Sequence, residues 1–185
     1  IIKIISKTKI ELTILEKIKI NNNLSHITFY LPILKATDRF EFALEKCVEL
    51  GITNFKIFSA EKSHTRGIKI ERWNKILLAA MKQSLQAHLP IIEFIELKDV
   101  NLKSDINIVL EQNSDEKLIT YLNTDSFQKE VLKINFFFGP EAGLINKDLE
   151  KIPNKINLQL TQNRLRAETA IVSTASIISS YKDNS

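Results

Sequence analysis

Cysteine, tryptophan and methionine each occur once in 185 residues, and glycine and proline four times each. A single cysteine excludes an intramolecular disulfide, so Cys47 implies a reducing compartment, hence a cytoplasmic location. It falls in an apolar helical pattern with Phe42, Ala43, Leu44, Val48 and Leu50, which reads as a buried, inert thiol. Scarce glycine leaves no Gly-rich P-loop and no dinucleotide fingerprint, and makes each glycine a candidate for a required turn. No apolar run approaches the roughly 20 residues of a membrane-spanning helix, and no signal-peptide pattern opens the chain. His26, His64 and His88 are scattered without metal-ligand spacing, so no metal is expected. What is present is a 44% hydrophobic content with 26% charge, enough for a packed core and against disorder. The net charge of +4 permits a nucleic-acid partner without requiring one. The first residue is Ile1 rather than Met, so the chain reads as a fragment or a processed piece.

Periodicity divides the chain. Residues Ile1–Ser6 and Lys9–Ile20 alternate apolar and polar and predict a β-hairpin with isoleucines on one face. Two strands cannot make a stable core alone, so this hairpin needs something to pack on. Asn21-Asn22-Asn23 reads as a linker. Beyond it, strands are predicted at Ile27–Leu31, Phe55–Phe58, Ile91–Ile95, Asn107–Leu110 and Lys133–Phe138. Helices are predicted from Asp38 to about Leu50, at Ile70–His88, over 115–122, and from about Leu165 to Tyr181. Gly51 stands where the first helix needs a C′ residue. Alternating strands and helices imply an α/β fold with a mostly parallel sheet covered on both faces.

Two segments stand apart. Phe136-Phe137-Phe138 delivers the turn Gly139-Pro140-Glu141-Ala142-Gly143, and Leu165-Arg166-Ala167-Glu168-Thr169-Ala170 opens the last helix behind a second short strand. Both belong at the carboxyl ends of strands, where open α/β sheets bind ligands. Taken alone, the Gly-Pro turn reads as a structural turn ahead of a ligand cradle. Arg166 in a first helical turn is unfavourably placed for a cation unless it has a partner or a task, whereas Glu168 suits that end of the dipole. The basic loop 61–69, leading into Arg72 and Trp73, reads equally as a phosphate contact or a solvated loop.

In order and spacing these segments resemble the 16S rRNA uracil-N3 methyltransferase family of the SPOUT superfamily, from about Ile27 to Ser180. Leu34-Lys35, Asp38-Arg39, Glu45-Lys46 and Glu49-Leu50-Gly51 resemble its first helix, which ends in "ELG". Ser63 fits an RNA-facing loop, and Arg72-Trp73, Ala80, Gln83-Ser84 and Pro90 resemble "RW…A…QS…P". Gly139–Gly143 resembles "GPEGG", and Leu165–Ala170 resembles "LRTETA".

The resemblance implies a SPOUT-type trefoil-knotted α/β domain over residues 23–185. Residues 1–22 would be the last strands of a truncated PUA-like RNA-binding β-barrel. It implies S-adenosyl-L-methionine as cofactor, a homodimer with the active site at the subunit interface, and 16S rRNA of the small ribosomal subunit as partner. Arg166 and Glu141 are the implied catalytic residues. Leu110, Gly139, Pro140, Glu141, Gly143, Leu158, Leu160, Thr161, Leu165 and Thr169 are the implied cofactor-binding set. Lys35, Arg39, Ser63, His64, Arg66 and Arg72 are the implied RNA contacts. Four departures mark this chain. Ala142 replaces a glycine, and Gln86 replaces an arginine beyond "QS". Thr161 and Asn163 replace the glycine and arginine of "LGxRILR", with Arg164 at the following apolar position. They predict a crowded adenine pocket and weaker RNA contacts. A catalytically weakened SPOUT-fold RNA-binding or assembly module is therefore the alternative reading, and 2′-O-ribose methylation by a related knotted family is the more distant one.

Overall fold

The structure is a computed structural model describing residues 2–4, 8, 10–63, 67–99, 102, 106–124 and 133–183. A sheet of six parallel strands organises it, in the order β5-β4-β3-β7-β6-β8. These strands are β3 (Ile27–Pro32), β4 (Asn54–Phe58), β5 (Ile91–Phe94), β6 (Ile106–Leu110), β7 (Ile134–Phe137) and β8 (Lys155–Leu158). The chain winds outward from β3 to β5, then crosses to β6 and returns to place β7 between β3 and β6. That reversal is where such sheets open a crevice at their carboxyl ends.

Both faces of the central strands are buried, as near-continuous apolar runs require. On one face Ile27, Phe29, Leu31, Ile108 and Phe136 pack under α1 (Thr37–Glu49), α2 (Ile70–Gln83), α3 (Leu118–Leu122) and α5 (Ala167–Asp183). Phe29 meets Phe136 with ring centroids 5.7 Å apart. On the other face Tyr30, Phe58, Val109 and Phe137 pack against Leu97, Leu102 and Ile152, with Leu149 of the short helix α4 (Asn146–Leu149) beside them. Tyr30 and Phe137 stack at 4.3 Å. Within this sheet the register partners Asn107 and Asn135 are both buried, and their amides stay satisfied. Asn135 Nδ2 donates to Asn107 Oδ1, and Asn107 Nδ2 donates to the carbonyls of Leu102 and Pro153. A one-residue slip would strand these groups, so the pair pins β6 to β7.

The predicted strands of the main sheet and the C′ role of Gly51 hold, with boundaries moved by a residue or two. Gly51 adopts φ 88°, and Ile52 N–H donates to the Cys47 carbonyl, closing α1 as a Schellman motif. Helix α2 stops at Gln83 rather than His88. Leu85 takes φ 57°, and Gln86 N–H reaches back to Met81 O, the same closure built without glycine. The 115–122 helix shortens to α3, and α5 begins at Ala167, so Leu165 and Arg166 precede it.

The hairpin is the larger correction. Only β1 (Ile2–Ile4) and β2 (Ile10–Leu12) pair, and 13–20 is not strand. Ile14, Leu15, Ile18 and Ile20 stay exposed, and among the described residues no third strand joins β1 and β2 to cover them.

Candidate active site

A cleft of about 840 Å³ opens at the carboxyl ends of β6, β7 and β8, of a size that suits a small organic ligand. Its walls are 109–113 at the end of β6 and beyond it, 138–144 after β7, and 160–161, 164–168 and 170 around the start of α5, with Arg39 of α1 at its edge.

The β7 wall is built by backbone geometry. Gly143 takes φ 74°, and its N–H donates to the Pro140 carbonyl at 2.8 Å, folding the turn back on itself. A Cβ on Gly139 would lie 3.0 Å from both Gly143 Cα and Leu144 N, so any other residue there would press the turn's own backbone apart. Ala142 is not in the positive-φ region, so alanine in place of glycine costs no backbone strain. Glu141 is exposed, and its Oε1 accepts the Lys35 N–H at 3.0 Å, tying this turn to the loop after β3.

Opposite, Arg166 is exposed immediately before α5, with its carbonyl accepting the Ala170 N–H at 2.9 Å. It sits at the cap position, outside the first turn. Glu168 lies inside that turn, where the dipole favours an acid, and Arg39 Nη1 approaches it at 3.6 Å. Among the described residues Arg164 and Arg166 have no ion pair, leaving two guanidinium groups at the cleft for an anionic ligand.

Arg166, Glu141, Leu110, Gly139, Pro140, Gly143, Leu160, Thr161 and Leu165 line one cleft, together with Arg39 from the implied RNA contacts. Leu158 and Thr169 do not line it. Leu158 is fully buried in β8 with its carbonyl accepting the Glu111 N–H, and Thr169 is exposed on α5. Lys35 borders the site through its bond to Glu141. Ser63 closes its own turn, accepting the Ala60 N–H on Oγ at 3.2 Å. Arg72 is held in a bidentate pair with Glu41 across α2 and α1, which raises its already high pKa, and it does not line the cleft. His64 and Arg66 lie outside the described residues. Sequence reasoning missed Glu111, Gln112 and Asn113. Their signal was position alone: they directly follow a predicted strand, at the end where ligands bind.

The departures at 161, 163 and 86 also find places. The Thr161 hydroxyl accepts the Asn163 N–H at 3.3 Å, within its own turn. Gln86 Nε2 donates to the Glu49 carbonyl at the carboxyl end of α1. Arg39, near the amino end of that 13-residue helix, is the part that lines the cleft, and the helix is about 20 Å long. Gln86 is therefore remote from the site.

A sequence model of RNA methyltransferase domains matches residues 21–179, most of the chain. The chain belongs to that RNA methyltransferase family. Among its relatives, ribosomal RNA small subunit methyltransferase E of Rickettsia conorii is 31% identical over 172 residues, spanning 91% of this chain and 70% of the relative. The protein of the same name from Mesomycoplasma hyopneumoniae is 32% identical over 170 residues, spanning 86% and 72%. A probable rRNA-methyltransferase from Porphyromonas gingivalis superposes with a TM-score of 0.71 at 26% identity, over 85% of this chain and 68% of that one. The Neisseria gonorrhoeae ribosomal RNA small subunit methyltransferase E, solved bound to S-adenosyl methionine, shares the fold with a TM-score of 0.70 at 24% identity. That superposition takes in 83% of this chain and 65% of the Neisseria one, so this family member spans less than two thirds of that structure's length.

Proposed function

We propose that this chain transfers a methyl group from S-adenosyl-L-methionine to N3 of a uridine in 16S rRNA of the small ribosomal subunit, in the cytoplasm. The observation that carries the reading is the convergence of the Gly139–Gly143 turn and the Arg166 helix start on one cleft. The cleft fits the cofactor by size, by close-approach glycine backbone and by its place at the sheet's carboxyl edge. Relatives named for small-subunit rRNA methylation support the substrate class.

When bound, the cofactor supplies an electrophilic methyl group. The chain's own residues do the rest. Residues 139–143 and 160–161 form the walls that hold and orient the ligand. Uracil N3 carries a proton and attacks only once that proton leaves to solvent, so negative charge builds on the uracil. The Arg166 guanidinium, without an ion pair among the described residues, stabilises that charge, the electrostatic role of an oxyanion-hole donor. Glu141 serves as the orienting residue, because its carboxylate is already engaged by the Lys35 amide. Arg39 and Arg164 at the rim, with Lys35 in the loop bonded to Glu141, suit backbone phosphates, which position RNA without reading its sequence.

The same reading carries a trefoil-knotted path for residues 23–185, a homodimer with the site at the subunit interface, and residues 1–22 as the end of a PUA-like domain. Calorimetric titration with S-adenosyl-L-methionine tests the reading against a non-catalytic RNA-binding module. Saturable heat with one site per chain is expected, and no saturable heat would favour the module.

A further inference from the structure

The loop after β6 and the loop after β8 form adjacent walls of the cleft, and residues 159–166 contain no helix or extended strand of their own to hold them in place. The Gln112 side chain reaches across to two successive carbonyls. Gln112 Nε2 donates to the carbonyls of Thr161 and Gln162, both at 3.2 Å. Its own carbonyl accepts from Gln159 Nε2, so the two glutamines clasp each other's loops. Glu111 N–H donates to Leu158 O at 3.0 Å, Ser114 Oγ to Asn157 O at 2.6 Å, and Gln159 N–H to Glu116 O at 2.7 Å, lacing the same two segments on either side.

A primary amide carries two N–H donors, and Gln112 meets two successive carbonyls with them. These are the bonds that tie the Thr161 and Gln162 carbonyls to the loop after β6, and Thr161 lines the cleft. We propose that Gln112 is a positioning residue that preorganises the Thr161 wall for S-adenosyl-L-methionine, acting on cofactor affinity rather than on RNA. This rests on the function proposed above. It follows the general rule that binding geometry is kept by the bonds that fix a site's walls.

Gln112→Glu keeps the size of the side chain but sets acceptor oxygens against two carbonyls. It should raise the Kd for S-adenosyl-L-methionine tenfold or more and raise its KM in parallel, with the KM for RNA within twofold of wild type. Gln112→Met, which removes the donors without adding charge, should give a smaller loss of the same kind and serves if the charged variant does not fold. Cofactor affinity within twofold of wild type in a folded variant would overturn the proposal. So would equal losses toward cofactor and RNA that track lowered stability, the mark of a purely structural bond. If the wild-type protein itself shows no saturable cofactor binding, the underlying function fails instead, a result read on a different sample.

Discussion

Arg166 stands just outside α5, exposed, unpaired among the described residues and facing the cleft, while Glu168 two positions on lies in the first turn beside Arg39. The sequence raised the question of why a cation should open a helix. The structure answers that Arg166 sits at the cap, where its carbonyl takes part in the helix and its guanidinium stays free. Arg166→Ala should lower single-turnover methyl transfer by about 10² or more, the cost of removing one oxyanion-hole donor. An unchanged rate would remove that role. Gly139 answers to geometry alone. Gly139→Ala drives a Cβ to 3.0 Å from Gly143 Cα and Leu144 N, so the turn must open. Loss of cofactor binding beyond tenfold is expected by calorimetry, with the circular dichroism of the sheet and helices retained. Ala142, by contrast, was legible as a departure from a glycine pattern, yet its harmlessness was not, because φ is not written in residue type.

Among the elements, strands and helices of the main sheet were legible because apolar runs of four to eight residues bounded by polar turns have few alternatives inside an α/β pattern. The end of α2 was not. Helical spacing continues through Leu85, and no glycine or proline marks the stop. The chain instead forces Leu85 to φ 57° while leaving its side chain 89% exposed, so the residue carries strain without compensating burial. Leu85→Gly should therefore stabilise the protein by about 0.5–1 kcal/mol, seen as a higher urea midpoint at unchanged slope. A lower midpoint would contradict the strain argument, because the entropy glycine adds to the unfolded chain would then exceed the strain relieved. The amino-terminal hairpin failed differently. Alternation correctly signalled β1 and β2, but pattern alone cannot supply the neighbours that would extend them past Leu12.

For the whole molecule, the feature that makes the site is the return of β7 between β3 and β6, which gathers the ends of β6, β7 and β8 around one cleft. Composition and periodicity pointed to a parallel sheet and to its carboxyl edge, and the resemblance supplied which turn and which helix start meet there. Neither revealed the Gln112 clasp, because glutamine on a short polar loop carries no sequence signal until its two carbonyl partners are placed. The same limit held for Gln86, whose substitution read as a functional loss and lies instead at the far end of α1. The central claim is methylation at uracil N3, and it is tested most directly by incubating the protein with small ribosomal subunits from cells lacking this enzyme and S-adenosyl-L-methionine, then resolving the nucleosides of the 16S rRNA by mass spectrometry. One 3-methyluridine per rRNA is the expected product; 2′-O-methylated nucleoside, or unmodified RNA with cofactor bound, would contradict the account.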